Sequence, residues 1–275
     1  MKTFIVPTDF SDTSKNAARF AAQVAEQVGA KIILYNVFDK IETGSDGSVI
    51  YNDHESRKKI MELALESVKT DMLAIAPGIE IIPIAEEESS FIHSLEKQAR
   101  HLQADMIIMG ITGATPLGQI FIGSNALSMV NKNVCPVMIV PPEATYTGIK
   151  RVVLTSDFKD VENTIPIKPL QAILSIFNPM VYVVNVDSEH YVEVTEEYKT
   201  ERAKIDNMIS GYDREYYFIR LYDFVEAINQ FASDYKVDLI ITVPKNHSFL
   251  SGLFKTSHTK KLAYHSHVPL LTIHE

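Results

Sequence analysis

One cysteine, Cys135, is all the chain carries, which excludes an internal disulfide and fits a reducing compartment. No long run of lysine and arginine appears, and the formal net charge is −9. Duplex nucleic acid is therefore not the expected main partner, because its phosphates call for clustered basic side chains. No apolar stretch approaches the ~18 residues expected of a membrane span. The opening MKTFIVPTDFSD holds too short an apolar segment for a secretory signal and turns acidic at once. These absences lead to the expectation of a soluble, cytoplasmic chain with neither membrane nor nucleic acid as partner. Glycine is also scarce, at 11 in 275 residues. Yet Gly110, Gly113, Gly118 and Gly123 all fall within one stretch, GITGATPLGQIFIGSN.

What the chain does have is an internal repeat, the feature that most constrains a fold. FIVPTDFSD from Phe4 is matched by VVLTSDFKD from Val152, which sets Asp9 against Asp157. IILYNVFD is matched by MVYVVNVDS, with Asn36-Val37 against Asn185-Val186. ADMIIMG then matches VDLIITV, and CPVMIVP matches VPLLTIH, with Pro136 against Pro269. Four matched blocks in one order argue for two copies of a domain, at 1–143 and 149–275, joined near PPEATYTG.

Each copy alternates short apolar runs with segments of helical periodicity. In the first copy the apolar stripe of Ala17, Ala18, Phe20, Ala21, Val24, Ala25 and Val28 predicts a helix over 14–28. Continuous apolar strands joined by helical crossovers predict an α/β fold: two tandem doubly wound domains, each with a mainly parallel sheet of about five strands flanked by helices. Each copy ends in an apolar strand, and two such edges are best covered by each other. This predicts pairing of Val137–Val140 with Leu270–Ile273 in an internal pseudo-dimer.

Ligands in such sheets bind beyond the carboxyl ends of the strands. Gly110 stands at such an end, and Gly123 and Ser124 stand where the next helix begins, which suits an anion. The stretch is not a Walker loop, since no GK[ST] occurs, and no lysine or arginine lies between Gly110 and Asn131. A surface loop followed by a helix cap accounts for the same residues. Asp9 could equally cap the first helix, and Val37 could simply pack in the core.

The spacing G-x2-G-x9-G-S, formed by Gly110, Gly113, Gly123 and Ser124, resembles the nucleotide-binding signature of the universal stress protein family. IVPTDFSD, LYNVFD and CPVMIVP resemble that family's first, second and last strands, so the chain resembles a tandem of two such domains. The resemblance implies an adenine nucleotide, ATP or else ADP or AMP, with Mg as an accompanying ion. It implies that Asp9 accepts from the adenine amino group and that Val37 meets the base through its backbone, with Pro7 and Thr8 flanking. Met109 and Gly110 would line the ribose and first phosphate, and Gly113, Gly123, Ser124 and Asn125 would hold the phosphates. It also leaves room for a homodimer and for a regulatory protein partner.

The second copy departs from the signature, with Val243, Asn246, Thr256 and Ser257 where the first has Gly110, Gly113, Gly123 and Ser124. No nucleotide is expected there. The functional expectation is a nucleotide-binding stress-response regulator rather than an enzyme. A slow ATP hydrolase or phosphotransferase, or a nucleotide-independent scaffold, are the alternatives. His247, His258, His265, His267 and His274 crowd the C-terminal end without a recognisable metal-ligand spacing.

Overall fold

The structure, a computed structural model, describes residues 1–39, 54–111, 124–186, 196–221, 223–243 and 268–274. Its first half runs β1 (Thr3–Pro7), α1 (Asp12–Val28), β2 (Lys31–Phe38), α2 (His54–Ile75), β3 (Ile81–Glu87), α3 (Phe91–His101), β4 (Met106–Gly110), α4 (Ser124–Val130) and β5 (Val137–Val140). The second half runs β6 (Arg151–Thr155), α5 (Val161–Thr164), α6 (Ile167–Phe177), β7 (Met180–Val186), α7 (Glu196–Met208), β8 (Arg214–Ile219), α8 (Phe224–Asp234), β9 (Leu239–Thr242) and β10 (Leu270–Thr272). The α/β class and the five strands per half follow the expectation.

All described strands join one ten-stranded sheet of order β3-β2-β1-β4-β5-β10-β9-β6-β7-β8. Outward from the middle, each half repeats the same order of equivalent strands. Every pairing within a half is parallel. The seam is antiparallel: Leu270, Leu271 and Thr272 of β10 face Ile139, Met138 and Val137 of β5. The Thr272 hydroxyl adds a buried hydrogen bond to the Val137 carbonyl at 3.2 Å. Two apolar final strands thus cover each other's edges.

One face of the sheet carries a core that crosses this seam, from Phe4, Leu34 and Met106 to Val152, Leu154 and Leu271. The other face carries two clusters, one per half, around Ile5, Tyr35 and Ile107 and around Val153, Val184 and Ile240. Alternation along β2 makes this division: Ile32 and Leu34 point to one core and Ile33, Tyr35 and Val37 to the other.

The aspartates ahead of β4 and β9 have matching roles. Asp105 accepts the Thr3 N–H at 2.8 Å, and Asp238 accepts those of Lys150 and Arg151, both at 2.8 Å. Each pins the start of its half's first strand. The connector is tied to the first half, since Asn16 donates to the carbonyls of Pro141 (3.1 Å) and Ala144 (3.2 Å).

The halves differ in the helix after the first strand. In the first half α1 is continuous, begins two residues before the expected start, and ends at Gly29 in the left-handed region (φ 65°). In the second half the equivalent segment breaks at Ile165-Pro166 into α5 and α6. Pro166 sits directly before the first residue of α6, where its missing N–H costs little.

Candidate functional site

β4, β1 and β2 are neighbours in the sheet, so their carboxyl ends lie side by side. Pro7, the last residue of β1, lies opposite Tyr35 of β2. The next residue, Thr8, donates its N–H to the Tyr35 carbonyl at 2.9 Å, and Asn36 donates its amide N–H to the Thr8 carbonyl at 2.8 Å. The chain after β1 is thereby stitched to the end of β2.

A tight side-chain turn follows. The Thr8 hydroxyl accepts the Phe10 N–H at 3.0 Å and shares a hydrogen bond with the Ser14 hydroxyl, also at 3.0 Å. Asp9 Oδ1 accepts both the N–H (3.1 Å) and the hydroxyl (2.5 Å) of Ser11. Ser11 is the N-cap of α1 and accepts the Ser14 N–H at 3.3 Å. The alternative that Asp9 itself caps the helix is therefore corrected. Asp9 orients the cap, because two residues of turn separate it from the first helical N–H groups. Phe10 has φ 64°, a left-handed value that costs a bulky side chain about 1–3 kcal/mol. The turn holds an exposed carboxylate at the end of the sheet in a fixed orientation.

Of the residues expected to form a site, Pro7, Thr8, Asp9, Val37, Met109 and Gly110 gather here. Thr8 is buried, and Val37 is half-buried against the core on the α3 side. Met109 is buried in that same core, so its backbone, not its side chain, faces the strand ends. Ser124 and Asn125 are exposed at the start of α4. Among the described residues no hydrogen bond joins them to the strand-end group. Gly113 and Gly123 lie outside the described residues.

Gly110 leaves little room for a side chain, for a reason the sequence did not disclose. Its backbone is not left-handed. A Cβ at this position would stand 3.0 Å from the Thr13 methyl, 3.1 Å from the Thr13 carbonyl oxygen and 3.2 Å from its carbonyl carbon. The group allowed close to this backbone is the first turn of α1. Gly110 thereby seats α1, and with it the Thr8–Ser11 turn, against the end of β4.

Two features were not singled out in advance. Asn36 is 5% exposed, and its Oδ1 has no hydrogen-bond partner among the described residues. Its role as a latch was legible only as a repeat, since Asn185 donates to the Ser156 carbonyl at 3.0 Å in the second half. Beneath Val37, the buried Tyr35 hydroxyl donates to Glu86 and shares a 2.6 Å hydrogen bond with Ser94. Burial pushes the Tyr35 hydroxyl pKa up, and the Glu86 carboxylate adds to the shift, so the phenol is a neutral, fixed donor.

Among the described residues no group of three or more His, Cys, Asp or Glu is placed to hold a metal ion. No described helix is long and apolar enough to cross a membrane. Of the C-terminal histidines only His274 is described, and burial lowers its pKa.

A model of the universal stress protein family matches residues 1–141 and 174–274. Universal stress protein MJ0531 of Methanocaldococcus jannaschii is 30% identical over 152 residues, covering 50% of this chain and 81% of that protein. A Thermus aquaticus universal stress protein is 27% identical over 139 residues, covering 50% of this chain and 98% of its own length. The solved structure of a universal stress protein from Archaeoglobus fulgidus matches with a TM-score of 0.68 at 18% identity, covering 98% of this chain and 95% of that one. That likeness speaks for the fold across both halves.

Proposed function

The chain belongs to the universal stress protein family, and from that premise we propose that it is an adenine-nucleotide-binding regulator of the stress response, with ATP held by its first domain. We place the two domains at 1–143 and 149–275. The observation that carries the reading is the gathering of Pro7, Thr8, Asp9, Val37 and Gly110 at three adjacent strand ends, in a chain that also carries G-x2-G-x9-G-S. A pre-oriented carboxylate at Asp9 suits the exocyclic amino group of adenine, and the half-buried Val37 offers backbone groups and an apolar flank. Gly113, Gly123, Ser124 and Asn125 take the phosphates in this reading. ADP and AMP fit the same base end.

No catalytic step is assigned. Phosphoryl transfer calls for positive charge on the transferred group, and no lysine or arginine lies between Gly110 and Asn131. Turnover of ATP is expected below the ~1 per second at which ordinary enzymes begin.

Calorimetric titration with ATP and GTP tests the proposal. ATP should bind and GTP should bind at least about tenfold more weakly, since guanine presents a carbonyl where adenine presents a donor to Asp9. Gly113→Val should abolish ATP binding with the melting temperature retained. Equal binding of both nucleotides, binding of neither, or full binding by Gly113→Val would contradict it.

A further inference from the structure

β3 and β8 are the two ends of the ten-stranded sheet. They are equivalent strands of the two halves, in which Ile81 matches Arg214 and Pro83 matches Tyr216. Only β3 is blunted against further pairing. We propose that the outer edge of β8 is a dimerisation surface, to which β8 of a second copy of this chain adds antiparallel about a twofold axis at Tyr216. The inference is independent of the nucleotide reading.

Three observations carry it. First, the two edges present different backbones. The Glu80 carbonyl accepts the Ile32 N–H at 2.8 Å, so the backbone groups of even-numbered β3 residues turn to β2 and those of Ile81, Pro83 and Ala85 turn outward. Pro83 takes a donor away from that edge, and the acidic Glu86 and Glu87 follow it; both features keep a further strand from adding. At the other end the Asp213 carbonyl accepts the Val181 N–H at 2.8 Å, so the backbone groups of Arg214, Tyr216 and Phe218 turn outward. All three residues carry an N–H, and among the described residues no strand pairs with this side of β8.

Second, the side chains of β8 have the composition of an interface. Phe218 is 39% exposed, yet its ring is held by Tyr198 and Phe158 at centroid distances of 4.8 and 5.5 Å. On the opposite face Tyr217 packs against Tyr235 at 4.8 Å and Phe231 at 4.9 Å, and Tyr235 is 36% exposed. Rings that are already fixed lose little entropy when a partner covers them, and aromatic residues and arginine are the side chains enriched in protein interfaces. The equivalent strand β3, IIPIAEE, has no aromatic residue and no arginine.

Third, the strand is complementary to itself, which selects a second copy as the occupant. Antiparallel pairing sets the outward-turned residues of the two copies opposite one another. With the axis at Tyr216, Arg214 of each copy stands opposite Phe218 of the other, and Glu215 stands opposite Tyr217. The first pair brings a guanidinium to an exposed ring. The second brings a carboxylate to a phenol that already donates to Glu215 within its own chain. Moving the axis to Tyr217 would instead oppose Arg214 with Arg220, a like-charge pair that disfavours that register. A twofold contact uses the same surface on both copies, and the far edge of each sheet is blunted by Pro83, so the assembly closes at two chains.

The test uses the full chain without added nucleotide, in sedimentation equilibrium over a wide range of protein concentration and in backbone hydrogen exchange. The chain should form a dimer that dissociates on dilution, and the Tyr216 and Phe218 amides should be protected in the dimer and exchange freely in the monomer. Tyr216→Pro, which copies the blunted edge of β3, should abolish the dimer. Phe218→Lys opposes Arg214 with a like charge and should raise the dimer Kd at least about tenfold, whereas Phe218→Glu opposes it with an unlike charge and should keep the Kd within about threefold of the parent. Far-UV circular dichroism matching the parent shows that each variant is folded. A monomer at every concentration, or a dimer that neither Tyr216→Pro nor Phe218→Lys weakens, would overturn the inference. Equal loss in Phe218→Lys and Phe218→Glu would overturn it by contradicting the register. Amide protection that persists in the monomer would overturn it too, by assigning the edge of β8 to a segment of the same chain.

Discussion

The two halves share the backbone-donated hydrogen bonds of the turn after their first strand, yet they differ in what packs against it. Among the described residues the Thr8–Ser14 hydroxyl bond and the Ser11 cap have no counterpart in the second half. In the first half Gly110 admits α1 to the end of β4, and the helix runs unbroken from Asp12 to Val28. In the second half Val243 takes the glycine's place, the helix breaks at Ile165-Pro166, and a cavity opens at the break. Position for position, Val184 replaces Tyr35 and Arg214 replaces Ile81, so the polar groups within the sheet have moved as well. The difference teaches that the turn does not depend on the glycine that follows β4: it joins the first two strands of each half whether glycine or valine stands there.

The largest expected effect comes from breaking what joins the halves. Ile139 lies between β4 and β10, facing Met109 on one side and Leu270 on the other. Ile139→Pro removes a ladder donor in mid-sheet, and the loss should reach about 3 kcal/mol or more, the scale for proline in a hydrogen-bonded interior. Urea unfolding measures it. A variant as stable as the parent would show that the seam contributes little.

Next is the glycine itself. Gly110→Val should destabilise by about 1–3 kcal/mol, the usual range for overpacking, because backbone atoms of Thr13 stand in the way. It should weaken ATP binding beyond that loss of stability. Val243→Gly in the second half should relieve no such contact and should lower stability by about 1 kcal/mol through entropy and lost packing. If the two substitutions behaved alike, the packing account of the difference would fail.

A smaller effect attaches to Tyr35→Phe, which strips a hydroxyl shared by Glu86 and the buried Ser94. A cost of about 1–2 kcal/mol is expected, read from the shift in denaturant midpoint. No matching loss is available at Val184.

The smallest concerns acid. Burial alone would raise the Asp206 carboxyl pKa, but hydrogen bonds from Arg214 and Tyr216 outweigh it and hold the pKa below the ordinary aspartate range. A depressed folded pKa stabilises above the unfolded value and loses that contribution as pH falls through the folded value. The second half should therefore lose a modest stabilisation as the pH drops below about 4, and Asp206→Asn should flatten that part of the profile. An unchanged profile would remove Asp206 from the account.

Much of this architecture was legible in the residues. The repeat located two halves, and the apolar final strands foretold the seam, because an uncovered apolar edge has few alternatives. The strand-end group of Pro7, Thr8, Asp9, Val37 and Gly110 was legible through the resemblance of its strands to a known family, and the strand order explains why its members lie together. The reason for Gly110 was not: its constraint comes from Thr13, whose approach is a matter of helix packing and leaves no local pattern. The broken helix was hidden for the same reason, since Pro166 reads only as a helix start until the preceding turn is seen to be separate. Asn36 and Asn185 were visible as a matched pair, but a latch onto a neighbouring carbonyl has no sequence signature.

The central claim is that one half holds the nucleotide, and the direct measurement is the number of adenine nucleotides per chain. Protein saturated with ATP, freed of excess and heat-denatured should release one adenine nucleotide per chain, and Gly113→Val should release none. Two per chain, or none from the parent, would contradict the account.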